Sequence, residues 1–322
     1  VRRWLLPLIL LAEIALFTNL SGQSFTSTSD AGAYFRSYFA DLICQSAPVL
    51  LLAFGMTIVL MTAGIDLSVG SLVALVACVM SSFPAGVEFW WTAVPLGFAL
   101  ALLLGATNGA LIAWLDVPPI IATLGTMILY RGLCFVVMGD LEKSPFLSVP
   151  AYEWLGQIPG AAMLVLLTFI ILGFWLNRSR WLREILMLGG NPIAARYAGI
   201  PVPRRILQVY SLVGLLGFLA ALTFTARNSS VSASSLTGLE LQVIVAVVLG
   251  GTRVQGGAGS LLGTFYGVLI IAVMDEGLRG AAKWGTEHLP FKISHLEYVL
   301  LGLLLVIGVW FNSREKTRRP SA

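Results

Sequence analysis

Asp66 is the side chain in this sequence whose position most needs a chemical reason. It stands in MTAGIDLSVGS (residues 61–71), with no charged residue between Asp41 and Asp66 and none between Asp66 and Glu88. A carboxylate at membrane depth costs about 2.5–3.5 kcal/mol on insertion scales, so it needs a partner, water or a helix end. The neighbouring residues offer the last. Gly64 breaks the preceding helix, and Asp66 serves as N-cap of the next, where backbone N–H groups and the helix dipole favour negative charge. Two uses are open: a cap at the cytoplasmic interface, or a broken helix that places polar groups along a solute path, with Gly64 and Gly70 as bends. Ser68, Asn108, Thr123 and Thr126 are further polar residues inside apolar runs. Each either lines such a path or hydrogen-bonds one helix to another.

No catalytic or metal-binding set stands beside them. His288 and His295 are seven residues apart with no third ligand, which is poor spacing for a metal, and they read as loop residues. Cys44, Cys78 and Cys134 lie inside apolar runs and read as small packing residues. The segment 250–263 holds six glycines in fourteen residues, but no Lys-Ser/Thr follows. It suits close helix packing or a hinge, not a phosphate cradle. The chain contains no G-x-x-x-x-G-K-[ST] sequence. No cofactor is therefore expected on the chain itself, and any use of ATP must come from a partner.

The elements that carry these residues follow from composition. Of 322 residues, 57% are hydrophobic and 11% charged, and the mean hydropathy is +0.88. Soluble domains carry about 25% charged residues. Runs 42–65, 67–87, 89–115, 154–177, 206–226 and 254–274 contain no Asp, Glu, Lys or Arg, and about 20 apolar residues span a bilayer. The expected class is all-α, a polytopic membrane protein with one domain over residues 1–322 and about ten transmembrane helices. The expected spans are 4–20, 43–63, 67–84, 91–113, 119–138, 160–177, 206–225, 241–252, 258–275 and 296–312. Residues 4–12 read as part of an uncleaved first helix. The third and eighth spans are the doubtful members, and either suits a half-helix. Residues 21–42, 85–90, 139–159, 226–240 and 276–295 are the expected outside loops.

Twelve of the twenty Lys and Arg residues fall at 2–3, 178–205 and 314–319. The positive-inside rule places these three segments in the cytoplasm. Topology thus accounts for the net charge of +4, and no nucleic-acid partner is implied. VGSLVAL (69–75) and AGSLLGT (258–264) echo one another, a weak sign of a five-plus-five inverted repeat. In the 178–205 loop, NPIAARYAG can form a short helix. Asn191 is the N-cap, Pro192 the first helical residue and Gly199 the stop. Ala194, Tyr197 and Ala198 share one face, with Arg196 off it.

Four stretches carry a resemblance to a known family. They are GMTIVLMTAGIDLSVGSLVAL (55–75), NGALIAWLDVPPIIATLGTMILYRGL (108–133), GGNPIAARYAGI (189–200) and LELQVIVAVVLGGTRVQGGAGSLLGT (239–264). Together they resemble the permease subunits of bacterial ABC importers for monosaccharides of the ribose, xylose, galactose and arabinose type, with autoinducer-2 permeases nearby. The family often has Glu where Ile193 stands and Asp where Gln242 stands. The resemblance implies a bacterial inner-membrane subunit that pairs with a second permease copy, identical or a close paralogue. It implies a cytoplasmic ABC ATPase, which uses ATP and Mg, and a periplasmic sugar-binding protein. It also implies that Asn191, Pro192, Ala194, Ala195, Arg196, Tyr197, Ala198 and Gly199 form the coupling helix that docks on the ATPase. Gly64, Asp66, Ser68, Gly70, Asn108, Thr123 and Thr126 are then the candidates for the path or gate. The alternative is a stand-alone secondary transporter, for which the intramembrane ionisable candidates are Asp66, Arg131, Glu240 and Asp275.

Overall fold

The computed structural model describes residues 2–20, 28–83, 88–139, 141–143, 150–228, 230–288 and 296–314. Its apolar runs become α1 (Arg2–Leu20), α2 (Thr28–Met61), α3 (Val69–Ser81), α4 (Glu88–Trp114) and α5 (Pro119–Met138). A short α6 (Pro150–Glu153) precedes α7 (Gly160–Arg178), α8 (Arg180–Gly190) and α9 (Pro192–Tyr197). Then come α10 (Val202–Arg227), α11 (Leu239–Leu249), α12 (Leu261–His288) and α13 (Leu296–Arg314). Among the described residues the only β pairing is an isolated bridge between Lys143 and Val231.

Each expected span coincides with a helix, but their lengths differ. Among the described residues six stretches are long and apolar enough to cross a membrane: 36–61, 91–114, 119–138, 160–178, 202–227 and 261–279. Helices α3 and α11 have 13 and 11 residues. At 1.5 Å per residue they reach roughly 20 and 17 Å, short of the ~30 Å hydrocarbon core.

Three loop boundaries need correction. Residues 28–42 and 276–288, expected as loop, continue α2 and α12. Helix propagation is cooperative and local, so a helix runs on through polar residues beyond its apolar stretch. His288 is consequently the last residue of α12, not a loop residue, and His295 lies outside the described residues. The 178–205 loop holds α8 besides the expected short helix. Trp181, Leu182, Ile185, Leu186 and Leu188 recur at helical spacing opposite Arg180, Arg183 and Glu184, a pattern that the sequence did contain.

The core is built on α2. Nearly every residue from Leu50 to Met61 is buried, as befits a helix that is apolar all round. Helices α10, α12, α11 and α7 pack against it, and α10 also lies along α4. Helices α5 and α7 turn large apolar side chains such as Ile128, Val136, Leu166 and Phe174 outward, as lipid-facing helices do.

Glycines set the closest crossings. A Cβ on Gly105 of α4 would stand 2.9 Å from Gly214 Cα of α10, and one on Gly214 would strike the Ala101 carbonyl. Gly263 and Gly267 of α12 pass the carbonyls of Gly250 and Ala246 in the same manner. Without a hydrophobic drive between helices in lipid, such backbone contact is what holds them.

VGSLVAL begins α3, whereas AGSLLGT leads from the 250–260 loop into α12. Gly214→Val should force α4 from α10 at a cost of about 1–3 kcal/mol, read as a lower melting temperature of the purified protein. Gly125→Ala, with nothing within 4 Å of the added carbon, should leave that temperature unchanged or slightly raised.

Candidate functional site

The break between α2 and α3 gathers the polar residues that stood out in the sequence. Helix α2 ends as a Schellman motif: Ala63 N–H donates to Leu60 O (2.9 Å) and Gly64 N–H to Val59 O (3.3 Å). The left-handed residue of this motif is Ala63, with φ +61°, and not Gly64. Glycine at 64 answers a different need, because a Cβ there would lie 2.9 Å from Tyr210 Oη and 3.1 Å from Thr62 Oγ1.

Asp66 is not the N-cap of α3. That position belongs to Ser68, since the helix starts at Val69. Asp66 Oδ1 instead accepts the Ser68 N–H at 2.9 Å and the Ser68 hydroxyl at 2.7 Å. Gly70 is likewise no bend. It sits in the first turn of α3, where a Cβ would come 2.5 Å from Glu240 Oε2 and 3.0 Å from Leu236 O. Its absent side chain lets the start of α11 approach.

A chain of side-chain hydrogen bonds runs outward from Asp66. Ser68 Oγ accepts from Asn108 Nδ2 of α4 at 2.7 Å, and Asn108 Oδ1 accepts from Thr126 Oγ1 of α5 at 2.7 Å. The Thr123 hydroxyl shares its one proton between Ile65 O within the break (3.1 Å) and Pro119 O (2.8 Å). Asp66, Ser68, Asn108 and Thr123 are wholly buried. The structure thus brings five of the sequence candidates into one network that ties the break to α4 and α5. Their side chains are engaged with one another, the arrangement by which polar residues join membrane helices. Asp66 Oδ2, Tyr210 Oη and Glu240 Oε2 are buried without a partner among the described residues.

The second group lies on the arm formed by α8 and α9. Asn191 Oδ1 accepts the N–H groups of Ile193 and Ala194, each at 3.0 Å, and Pro192 opens α9. Gly199 has φ +78°, and Ile200 N–H returns to Ala195 O at 3.1 Å. These are the caps and stop that the sequence suggested. Ala195 needs correction as a docking residue. It is 0% exposed and packs with Leu188 and Val202, so no partner can touch it. Ile193 and Tyr197, 69% and 90% exposed, present the apolar face instead, beside exposed Pro192, Ala194, Arg196 and Ala198. Arg205 of α10 holds Glu184 of α8 at 2.5 Å.

Sequence reasoning missed what this arm rests on. The N–H of Gly257 donates to Met61 O at 2.9 Å. A Cβ on Gly189 would collide with that same carbonyl, and one on Gly256 would stand 2.6 Å from Gly189 O and 2.8 Å from Ala63 N. The end of α8, the glycine loop 250–260 and the end of α2 therefore meet backbone to backbone. Gly256 and Gly257, with φ +83° and +73°, supply the left-handed turns. The glycine cluster was the only signal of this meeting.

A cavity of about 290 Å³ lies between α2, α10, α11 and α12, and Leu42–Val49 of α2 mark its depth. That stretch is roughly 15–20 residues from the break, about 20–30 Å along the helix axis. Gln45, Arg227, Asn228, Gln242, Asp275 and Arg279 supply its polar wall. None of the seven path candidates lines it. Among the described residues no group of three His, Cys, Asp or Glu side chains is placed to hold a metal ion.

Buried polar networks joining apolar helices, half-length helices beside long ones and six helices long and apolar enough to cross a bilayer describe a multi-pass membrane protein. Comparison with known proteins specifies it. Residues 38–309 match the family described as branched-chain amino acid transport system / permease component, and the chain belongs to that family. The ribose import permease protein of Escherichia coli K12 is 36% identical over 290 residues, covering 86% of this chain and 87% of that protein. The autoinducer 2 import system permease protein of Klebsiella pneumoniae is 32% identical over 316 residues, 94% of this chain and 88% of that one. The D-allose transport system permease protein of Escherichia coli K12 is 33% identical over 276 residues, 84% and 82% of the two chains. No solved structure matches the chain.

The network yields a graded prediction. Asp66→Asn keeps an oxygen for Ser68 and should be tolerated. Asp66→Ala leaves the Ser68 N–H and hydroxyl short of an acceptor and should cost about 1–3 kcal/mol, seen as a lower melting temperature. A double-mutant cycle of Ser68→Ala and Asn108→Ala should show a coupling of about 0.5–3 kcal/mol.

Proposed function

We propose that this chain is the permease subunit of an ATP-driven monosaccharide importer, forming the translocation path and coupling to a separate ATPase. The similarity along most of the chain to import permeases for ribose and allose carries this reading. In it, a second permease copy, a cytoplasmic ABC ATPase that uses ATP and Mg, and an extracytoplasmic sugar-binding protein complete the assembly. The exposed Ile193, Ala194, Arg196 and Tyr197 of α9 dock on the ATPase. Movement of α9 reaches the α2–α3 break through Gly189, Gly257 and Met61. The N-terminus, the α8–α9 arm and the C-terminus face the cytoplasm, in keeping with their Lys and Arg content.

The same reading takes α1–α5 and α7 with α10–α13 as two five-helix halves of opposite orientation, ten spans in all. The packing pattern supports it. Helix α10 lies on α4 as α12 lies on α2, α3 lies on α5 as α11 lies on α13, and α3 meets α4 as α11 meets α12. The short α3 and α11 hold the third place in each half, where broken or half-length helices of inverted repeats meet near the midplane.

Uptake by proteoliposomes containing the permease, its ATPase and its binding protein tests the function. D-ribose, D-allose or D-fructose should accumulate with ATP inside the ATPase compartment and stop without it, whatever the proton gradient. Uptake that follows the proton gradient and ignores ATP would indicate a secondary transporter. Uptake of leucine with no sugar transported would indicate an amino-acid permease. In the same preparation, Ala194→Trp and Arg196→Glu should abolish sugar-stimulated ATP hydrolysis while the protein stays inserted. The first fills an exposed contact position and the second reverses a charge at its rim. Normal stimulation in both variants would place the ATPase elsewhere.

A further inference from the structure

The cavity between α2, α10, α11 and α12 stands apart from every residue that the sequence had singled out for the path. Its polar wall has an unusual balance. Arg227 lies 3.5 Å from Asp41, and Arg279 lies 2.7 Å from Asp275. Gln45, with its amide oxygen turned toward Arg279, accepts from both terminal guanidinium nitrogens at 2.8 Å. Both cations are therefore matched by carboxylates, and the cavity has no net charge to attract an ion. Its remaining polar side chains are amides and the hydroxyl of Ser46, which donates to Leu42 O. Asn228 donates to Phe224 O at 2.7 Å, which leaves its side-chain oxygen to accept. Gln242 is half-buried and its amide makes no hydrogen bond among the described residues.

These features suit one kind of solute. A hydroxyl is both donor and acceptor, and an amide presents both, so amides and ion-paired guanidinium groups match a neutral polyol. The apolar residues of the wall, Val49, Leu239, Val268 and Ile271 among them, suit its C–H face. The volume of about 290 Å³ lies just below the range for drug-sized ligand pockets, about 300–1,000 Å³, in keeping with a smaller solute. A free amino acid would need an uncompensated cation and an uncompensated carboxylate for its own two charges. Here each is already paired. Arg279 and Arg227 are 55% and 32% exposed, so the cavity is open on the side that they border.

We infer that this cavity is a binding site for a neutral monosaccharide, with Gln242, Asn228 and the Asp275–Arg279 pair as its hydrogen-bonding groups. The inference rests on the proposed importer function and deepens it by placing a sugar site within this chain. That site is distinct from the Asp66 network, which then acts as a joint rather than as a contact surface for the sugar.

Thiol labelling tests the site directly. Gln242→Cys is introduced with Cys44→Ser, Cys78→Ser and Cys134→Ser, and the importer in proteoliposomes is treated with N-ethylmaleimide. D-ribose, D-allose and D-fructose are added separately at millimolar concentration, and leucine serves as the comparison. A sugar present at about twice its Kd should slow labelling about threefold, and leucine should not. In the chain with its own cysteines, Gln242→Leu should slow ATP-driven uptake of the protecting sugar by about tenfold, with Gln242→Asn retaining most of it. If the wild-type complex imports a sugar, yet no sugar protects position 242 and Gln242→Leu transports at the wild-type rate, the site is overturned and the importer function stands. Protection by leucine alone also overturns it. A wild-type complex that moves no sugar with ATP overturns the function and this site with it.

Discussion

An unwound backbone inside an apolar protein must have every polar group met from within, and residues 62–68 impose that condition on the rest of the chain. The partners come from the break itself and from two other elements. Met61 O is met by Gly257 of the glycine loop, Ile65 O by Thr123 of α5 and Ser68 N by Asp66. Asn108 of α4 then fixes the Ser68 hydroxyl. The break is thus not a gap in the structure. Its hydrogen bonds decide where α4, α5 and the 250–260 loop must lie.

Small residues make those positions reachable. A hydrogen bond from Gly257 to Met61 O requires that α8 end just beside it, and a Cβ at Gly189 would forbid this. Gly64 leaves room for Tyr210, and Gly70 leaves room for Glu240 and Leu236. In water such voids would be filled by larger apolar groups for their burial energy. In lipid that incentive is absent, and close backbone contact contributes the dispersion energy instead. The same rule governs Gly105 with Gly214 and Gly263 with Gly250.

Three charged groups follow the same rule. The carboxylate of Asp66 is held by its Ser68 neighbour, and Arg131 Nη1 is satisfied by the carbonyls of Ala233 and Ser235 at 2.7 Å each. Asp275 is paired with Arg279. Buried charges left without such partners would be costly. Each of these three groups has a partner within the protein, whereas Asp66 Oδ2 and Glu240 Oε2 are buried without one among the described residues.

The sequence by itself determined the class and the elements. Long charge-free runs are a composition effect, so helix identity and approximate position could be read directly. Caps depend on a few adjacent residues, which is why Asn191, Pro192 and Gly199 foretold α9 correctly. Family membership also followed from local stretches. What only the tertiary structure decided concerns residues distant in sequence. Ala195 faces inward because α8 and α10 close over it. Ala63, and not Gly64, takes the left-handed turn, because at 64 the missing side chain serves Tyr210. Asp66, Ser68, Asn108, Thr123 and Thr126 looked like separate candidates for a path, and folding joins them into one chain of bonds. Gln242 and Asp275 stood out in the sequence for separate reasons, but nothing in it joined them to Asn228 in one cavity. Its wall is assembled from α2, α10, α11 and α12, and a linear pattern records which residues are polar but not which of them face one another.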